Sequence, residues 1–352
     1  MKIGILTFHW ATNYGAVLQA YCLQEYLTTL GHHVSIINYK PHQYDFSWSC
    51  FIRHPSLLKK IFRILVNKRK ESLLESFREN RLKTTRRYYS INEFGDEINQ
   101  YDLFISGSDQ VLNPNFTTHG EDGKPSSAYW LNFGRKDMKR LGYAVSFGCI
   151  DYPENAKQEA MKWVNNFAAI GVREQTGLDI LDNLGYKGLK KVLPDPTLLL
   201  GKELFHKLGI DLTNGHKEYT CVYMLRKEIK LSGNVHYIDE KHRPLTMNQW
   251  IQTIVNANNI ITNSYHGMII AILAHVPFAI LLETGSSSGM NDRFYTLLAE
   301  VGVKDRLATT IDAAISVLQR PIDFAILDVA INKYRLEGEK YLRGNINYDN
   351  EG

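Results

Sequence analysis

The sequence predicts an α/β protein of two doubly wound domains facing each other across a cleft. Three observations lead there. Short apolar runs alternate with helical segments, beginning Lys2–Phe8, Ala16–Leu30, His33–Tyr39. The first-half runs end in polar residues, at His9–Asn13, Ser106–Gln110, Ser146–Gly148, Arg173–Glu174 and Asp195–Thr197. In open parallel sheets the carboxyl ends of the strands are where ligands bind. The alternation then restarts after a polar, Gly-containing stretch, Gly201–Lys217, and 352 residues suffice for two cores. The predicted domains are 1–200, with a basic helical insertion at about 45–88, and 201–352, which includes the terminal helices.

Taken in order, Lys2–Phe8 (KIGILTF) reads as a central strand; Gly4, Thr7 and the polar residues that follow exclude a signal-peptide core. The loop HWATNYG carries only Gly15, so a GxGxxG dinucleotide fingerprint is absent. Ala16–Leu30 reads as an amphipathic helix closed by Gly31. Further strands are expected at Tyr101–Ser106, Leu141–Phe147, Ala169–Arg173 and Lys190–Leu193, with a helix around Pro153–Phe167. In the second half, Tyr219–Leu225 and Val235–Asp239 are separated only by Arg226–Asn234, too few residues for a helical crossover. They form either a hairpin or a crossover without its helix. Thr246–Asn256 is a helix, Pro277–Leu282 a strand, and Ile311–Leu318 and Phe324–Leu342 are the terminal helices.

The net charge of +4 gives no reason to expect nucleic-acid binding, although a modest basic excess suits an anionic ligand. Cys22, Cys50, Cys149 and Cys221 form no CxxC and no Cys/His cluster, so neither a metal site nor a disulfide framework is expected. Reduced thiols and the lack of an apolar run of about eighteen residues point to a cytoplasmic protein. Between Arg53 and Arg87 twelve Lys and Arg face three Glu. Apolar residues recur there at helical spacing, which predicts a pair of surface helices with solvated basic faces. The alternative is a peripheral membrane contact at the inner face, or a grip on a lipid-linked phosphate.

The most informative stretch is Asn258–Ala274, NNIITNSYHGMIIAILA. It reads as a buried strand, a tight polar loop and a helix that starts near Ser264. A helix N-terminus at a sheet's carboxyl edge favours an anion, and His266 stands in its first turn. Arg173 follows an apolar strand, and Arg293 follows the loop ETGSSSGM, whose Ser287 and Gly289 suit a phosphate or carboxylate cradle. His9, Asn13, Asp109 and Gln110 set polar side chains at the first-half strand ends; His9 is equally readable as a satisfied core histidine. Asp195, between Pro194 and Pro196, is as readily a turn-former.

The blocks GILTFHWATNYGAVLQAYCLQEYLTTLGHHVSIINYKP, LFISGSDQVLNPNF, YAVSFG, VRE, VLPDPTLLL and NSYHGMIIAILAHVPF resemble, in order, the polysaccharide pyruvyl transferases. The resemblance implies a GT-B-like fold of two Rossmann-like domains. It implies transfer of pyruvate from phosphoenolpyruvate, as donor substrate with no further cofactor, to two hydroxyls of a glycan that is often lipid-linked. The product is a cyclic ketal, with release of phosphate. Arg173 matches the arginine of the family's VRE-type block, and His266 the histidine of its Arg-x-His turn. Ser264 stands where that turn has its arginine, and Arg293 is the candidate substitute. On this reading His266 is the acid, Asp109 the first-choice base with Asp195 second, and Arg173, Ser264, His266, Ser287, Gly289 and Arg293 hold the donor. On the same reading His9, Asn13, Asp109 and Gln110 are the candidate ligands of the acceptor's sugar hydroxyls, with Trp10 able to stack on its ring or simply to pack. Replacing Arg173 or His266 by Ala is expected to leave the fold intact and abolish ketal formation. Two rival readings are a GT-B glycosyltransferase whose Glu283 would hold a nucleotide-sugar ribose, and a non-catalytic glycan-binding protein.

Overall fold

The computed structural model describes residues 1–45, 57–212, 217–225 and 227–346. Two wholly parallel sheets organise it. The first contains β1 (Lys2–Leu6), β2 (His33–Ile36), β3 (Leu103–Ser106), β4 (Lys139–Val145), β5 (Ala169–Val172) and β6 (Leu189–Val192), in the order β2-β1-β3-β4-β5-β6. The second contains β7 (Lys217–Tyr223), β8 (Val235–Tyr237), β9 (Ala257–Thr262), β10 (Phe278–Leu281) and β11 (Leu307–Ala308), in the order β11-β10-β9-β7-β8. Each sheet therefore reverses its winding between its first and third strands, β1/β3 and β7/β9. Such a reversal opens a crevice at the carboxyl ends.

The first seven helices are α1 (Tyr14–Thr29), α2 (Leu57–Arg81), α3 (Pro114–Thr118), α4 (Glu154–Trp163), α5 (Thr176–Asn183), α6 (Pro196–Leu200) and α7 (Glu203–Leu208). The rest are α8 (Met247–Val255), α9 (Tyr265–Leu273), α10 (Asp292–Glu300), α11 (Ile311–Leu318) and α12 (Phe324–Ile346).

Three features depart from the sequence expectation, and one alternative it left open is decided. Helix α1 is not amphipathic, because it is covered on both sides: every residue from Tyr14 to Leu27 except Glu25 is buried. One side packs on the first sheet. The other meets the second domain, where Tyr14 stacks on Trp250 at 5.1 Å and donates its hydroxyl to Leu245 O at 2.6 Å. Helix α9 is buried throughout for the same reason, and one apolar core joins both sheets.

Strands β7 and β8 pair in parallel, Thr220 opposite Val235, so they are a crossover without its helix and not a hairpin. The basic segment holds one long helix, α2, where two were expected; Arg53–Ser56 lie outside the described residues. Its basic face is not wholly solvated. Lys70 is buried, donates to Thr12 O at 2.8 Å and meets Glu240 of the second domain at 2.5 Å. Arg78 is buried between Glu71 and Glu75.

Helix α12, expected with the second domain, returns to the first. Tyr341 donates to Gly142 O at 2.8 Å. Gly338 rests so close to Tyr143 that a β-carbon would lie 2.5 Å from its hydroxyl. Among the described residues no helix is long and apolar enough to cross a membrane.

Candidate active site at the junction of the two sheets

The loop after β3 delivers Asp109. Its backbone is left-handed at φ +81°, a conformation that costs about 1–2 kcal/mol for a residue other than glycine. It persists because Asp109 O accepts from Val111 N at 2.8 Å and Ser146 N at 2.9 Å. The carboxylate lies 3.8 Å from Arg173 Nη2.

Arg173, at the end of β5, is 1% exposed and is the hub of the first-domain edge. Its Nε donates to Glu174 Oε1 at 3.1 Å and its Nη1 to Asp195 Oδ2 at 3.5 Å, while Nη2 has no hydrogen-bond partner. Ser146 Oγ also donates to Glu174, and Ser108 Oγ to Asp195, both at 2.9 Å. Asp195 does cap a helix, α6, through Thr197 N at 2.9 Å. It is thus a turn-former, as the sequence allows, that also faces Arg173 and His266.

Three carboxylates thus converge on one buried guanidinium. Burial disfavours the charge on Arg173, but Glu174, Asp109 and Asp195 overcome this and raise its pKa. Burial also opposes ionisation of Asp195, yet the charges of His266 and Arg173 and the Thr197 N–H hold it well below the carboxylate range. For Glu174, burial wins and its pKa rises.

The second domain closes over this edge with α9. Ser264 is the N-cap, its Oγ accepting from Gly267 N at 3.2 Å. His266 is buried in the first turn, its Nε2 3.5 Å from Asp195 Oδ2 and without a hydrogen bond. Gly15, in the first turn of α1, lies against the other face of the ring: a β-carbon there would be 2.1 Å from Nδ1. Tyr265 sits between two guanidinium groups, 5.0 Å from Arg173 and 5.8 Å from Arg293. Arg293 has an unpartnered Nε, and burial together with Arg173 lowers its pKa to about 10. It lines a small recess with Gln110, Glu174 and Gly289. Thr176 donates to Asp292 at 2.6 Å across the same seam.

The structure therefore gathers Asp109, Gln110, Arg173, Asp195, His266, Gly289 and Arg293 at one junction. Ser287 belongs to the turn Gly285–Asn291 beside it. His9 stands elsewhere: its ring nitrogens lie 3.1 Å from Thr7 O and from Asn38 Oδ1, and burial lowers its pKa to about 4. Asn13 accepts from Ala16 N at 3.0 Å as the N-cap of α1. Glu283 accepts from Asn263 Nδ2 at 2.6 Å. Among the described residues no group of three metal-ligating side chains occurs.

A family model for polysaccharide pyruvyl transferase matches residues 13–283, most of the chain and every residue of this junction except Gly289 and Arg293. The chain belongs to the polysaccharide pyruvyl transferase family. A search of curated proteins finds no match. Among solved structures, a Listeria monocytogenes protein of the UDP-N-acetylglucosamine 2-epimerase type aligns with a TM-score of 0.51 at 8% identity. The alignment covers 100% of this chain and 97% of the other. The Methanocaldococcus jannaschii UDP-GlcNAc 2-epimerase aligns with a TM-score of 0.48 at 11% identity, over 99% and 100% of the two chains. The likeness is one of fold: this pyruvyl transferase family member is GT-B-like, with two parallel sheets facing each other.

Sequence reading of this family member overlooked Gly15 and Tyr265 as parts of the junction. Gly15 carried a signal, as the single glycine of HWATNYG placed just inside a helix. Ser108 and Ser146 lie in the polar strand ends already noted, but their carboxylate partners carried no signal, since a hydroxyl at a strand end looks the same whether it faces water or a buried carboxylate.

Proposed function

We propose that the protein transfers pyruvate from phosphoenolpyruvate to two hydroxyls of one sugar in a glycan, forming a cyclic ketal. The observation that carries this reading is the meeting of Arg173, Arg293 and His266 from two domains at one junction, with both guanidinium groups near the Tyr265 ring and His266 near Asp195, in a chain of this family. Phosphoenolpyruvate carries its negative charges on few atoms, and guanidinium groups match carboxylate and phosphate geometry. Arg293 takes the place of the arginine that Ser264 replaces. The free Nη2 of Arg173 and Nε of Arg293 are the donors that await an anion.

His266 protonates the methylene carbon, and the C2 cation so formed is attacked by the first hydroxyl. The C2–O bond to phosphate breaks and the second hydroxyl closes the ring. Of the two hydroxyl protons, one replaces the proton given to the methyl group and the other leaves with phosphate. Asp109, facing Arg173 and partly exposed, takes the hydroxyl proton. Asp195 gives the imidazolium form of His266 a fixed counter-charge.

The acceptor is a lipid-linked saccharide at the cytoplasmic face, met by exposed basic positions of and beside α2 such as Arg69, Arg81 and Lys83. The deciding experiment is a phosphate-release assay with phosphoenolpyruvate, paired with thermal shifts. Stabilisation by phosphoenolpyruvate and not by nucleotide sugars is expected. The reverse pattern would make the protein a glycosyltransferase, and no phosphate release with any acceptor would make it a binding protein. In the same assay, changing the three basic residues to Gln should slow turnover of a lipid-linked acceptor only.

A further inference from the structure

A second cavity lies at the carboxyl ends of β1 and β2, apart from the junction. Its volume is about 150 Å³, space for roughly five waters at liquid density and hence for one sugar ring. Its walls combine the indole of Trp10, the ammonium of Lys40, the carboxylates of Glu71 and Glu75, and Arg78. Arg78 is 5% exposed; its Nε and Nη2 are taken by Glu75 and Glu71, and its Nη1 has no partner. A buried guanidinium N–H without an acceptor is unfavourable unless something supplies one.

The chemistry of the wall selects the ligand. Three cations, Lys40, Arg78 and Arg87, stand against three carboxylates, Glu71, Glu75 and Glu79, in the lining, so a strongly charged ligand gains little. A hydroxyl-rich ring suits all of it, donating to Glu71 and Glu75, accepting from Arg78 and Lys40, and resting on Trp10, which is half-buried and tilted on Tyr44 at 4.5 Å. One loop links the cavity wall to the junction. Thr12 donates to Glu71 at 2.5 Å, and the loop that carries Trp10 and Thr12 runs on to Gly15, against the ring of His266.

We infer that this cavity is a saccharide subsite, holding a sugar unit of the acceptor chain other than the one that receives pyruvate. The inference rests on the acceptor being a glycan, as proposed above. A single sugar then fills only the junction, whereas an oligosaccharide fills both places.

The test is direct binding without donor, by calorimetry or saturation-transfer NMR. The probes are a panel of neutral monosaccharides and of the corresponding di- to tetrasaccharides, with inorganic phosphate as the control anion. Oligosaccharides should bind at least tenfold tighter than monosaccharides. Trp10→Ala and Lys40→Ala should erase that difference, and His266→Ala should keep it. Arg78→Lys, which retains the charge, should weaken it in part. Equal binding by the wild type and the Trp10 and Lys40 variants, no preference for longer saccharides, or phosphate binding that depends on Arg78 would each overturn the subsite. Because no phosphoenolpyruvate is present, failure here is separable from failure of the transferase reading, which phosphate release reports.

Discussion

The protein has two strand-to-helix corners that look alike in sequence and behave differently in structure. One follows β1 and carries His9; the other follows β9 and carries His266. Each sits at the winding reversal of its sheet, and each helix is capped by a polar side chain, Asn13 for α1 and Ser264 for α9. His9 has both ring nitrogens occupied and is held neutral. His266 has an unpartnered Nε2 and an ionised carboxylate 3.5 Å away. A histidine at a sheet's ligand-binding edge is therefore not a functional group by position alone; what its ring has already been given decides. The two corners are also one object, because Gly15 of the first forms a wall for His266 of the second.

The strongest way to break this contrast is to remove what supports Asp195. Arg173→Met leaves Glu174, Asp109 and Asp195 without their shared cation in a buried place. A loss of about 3–5 kcal/mol is expected, read as a lowered urea midpoint, together with loss of turnover. This reverses the expectation from sequence that such a variant folds normally. A loss below about 1 kcal/mol would show that the carboxylates do not depend on Arg173.

How much of this was legible beforehand differs by residue. Strand ends, His266 and Arg173 could be read, because a short apolar run followed by polar residues has local meaning. Asp195 could be read as a turn-former or a second-choice base but not as the partner of Ser108, Arg173 and His266, all distant in sequence. Helix α1 was misjudged because its second covered face is supplied by Trp250 and Leu245. The return of α12 to the first sheet was invisible, as an amphipathic pattern does not name the surface it will cover. Lys70 and Arg78 counted as surface charge for the same reason.

Next in size is the pH response of the first corner. The folded pKa of His9 is lowered to about 4 from 6.5, so the unfolded chain takes up a proton that the folded one refuses. Stability should be flat above pH 6.5 and fall by roughly 3 kcal/mol between pH 6.5 and 4. His9→Asn should be less stable at neutral pH yet lose less across that window. Parallel denaturation curves for the two proteins would mean that His9 titrates normally and that the corners do not differ as described.

Gly15→Ala tests the contact between the corners. Alanine is the better helix former, but its β-carbon would meet His266 Nδ1 at 2.1 Å. Overpacking of this kind costs about 1–3 kcal/mol, and a shift of the ring by about 1 Å is enough for a hundredfold fall in turnover. The ketal assay should show that fall with kcat reduced more than KM is raised. Unchanged turnover would place the working position of His266 away from Gly15.

The smallest effects separate capping from binding. Asn13→Ala and Ser264→Ala each remove an N-cap acceptor, from Ala16 N and from Gly267 N respectively. Each should cost about 1 kcal/mol by urea unfolding. If Ser264 also touches the donor, its variant raises the KM for phosphoenolpyruvate alone; if Asn13 touches the acceptor, its variant raises the KM for the sugar alone. The stability cost is common to both, so the split between the two KM values carries the information. With both KM values unmoved, the two residues are caps and nothing more, and the difference between the corners rests on the surroundings of His9 and His266.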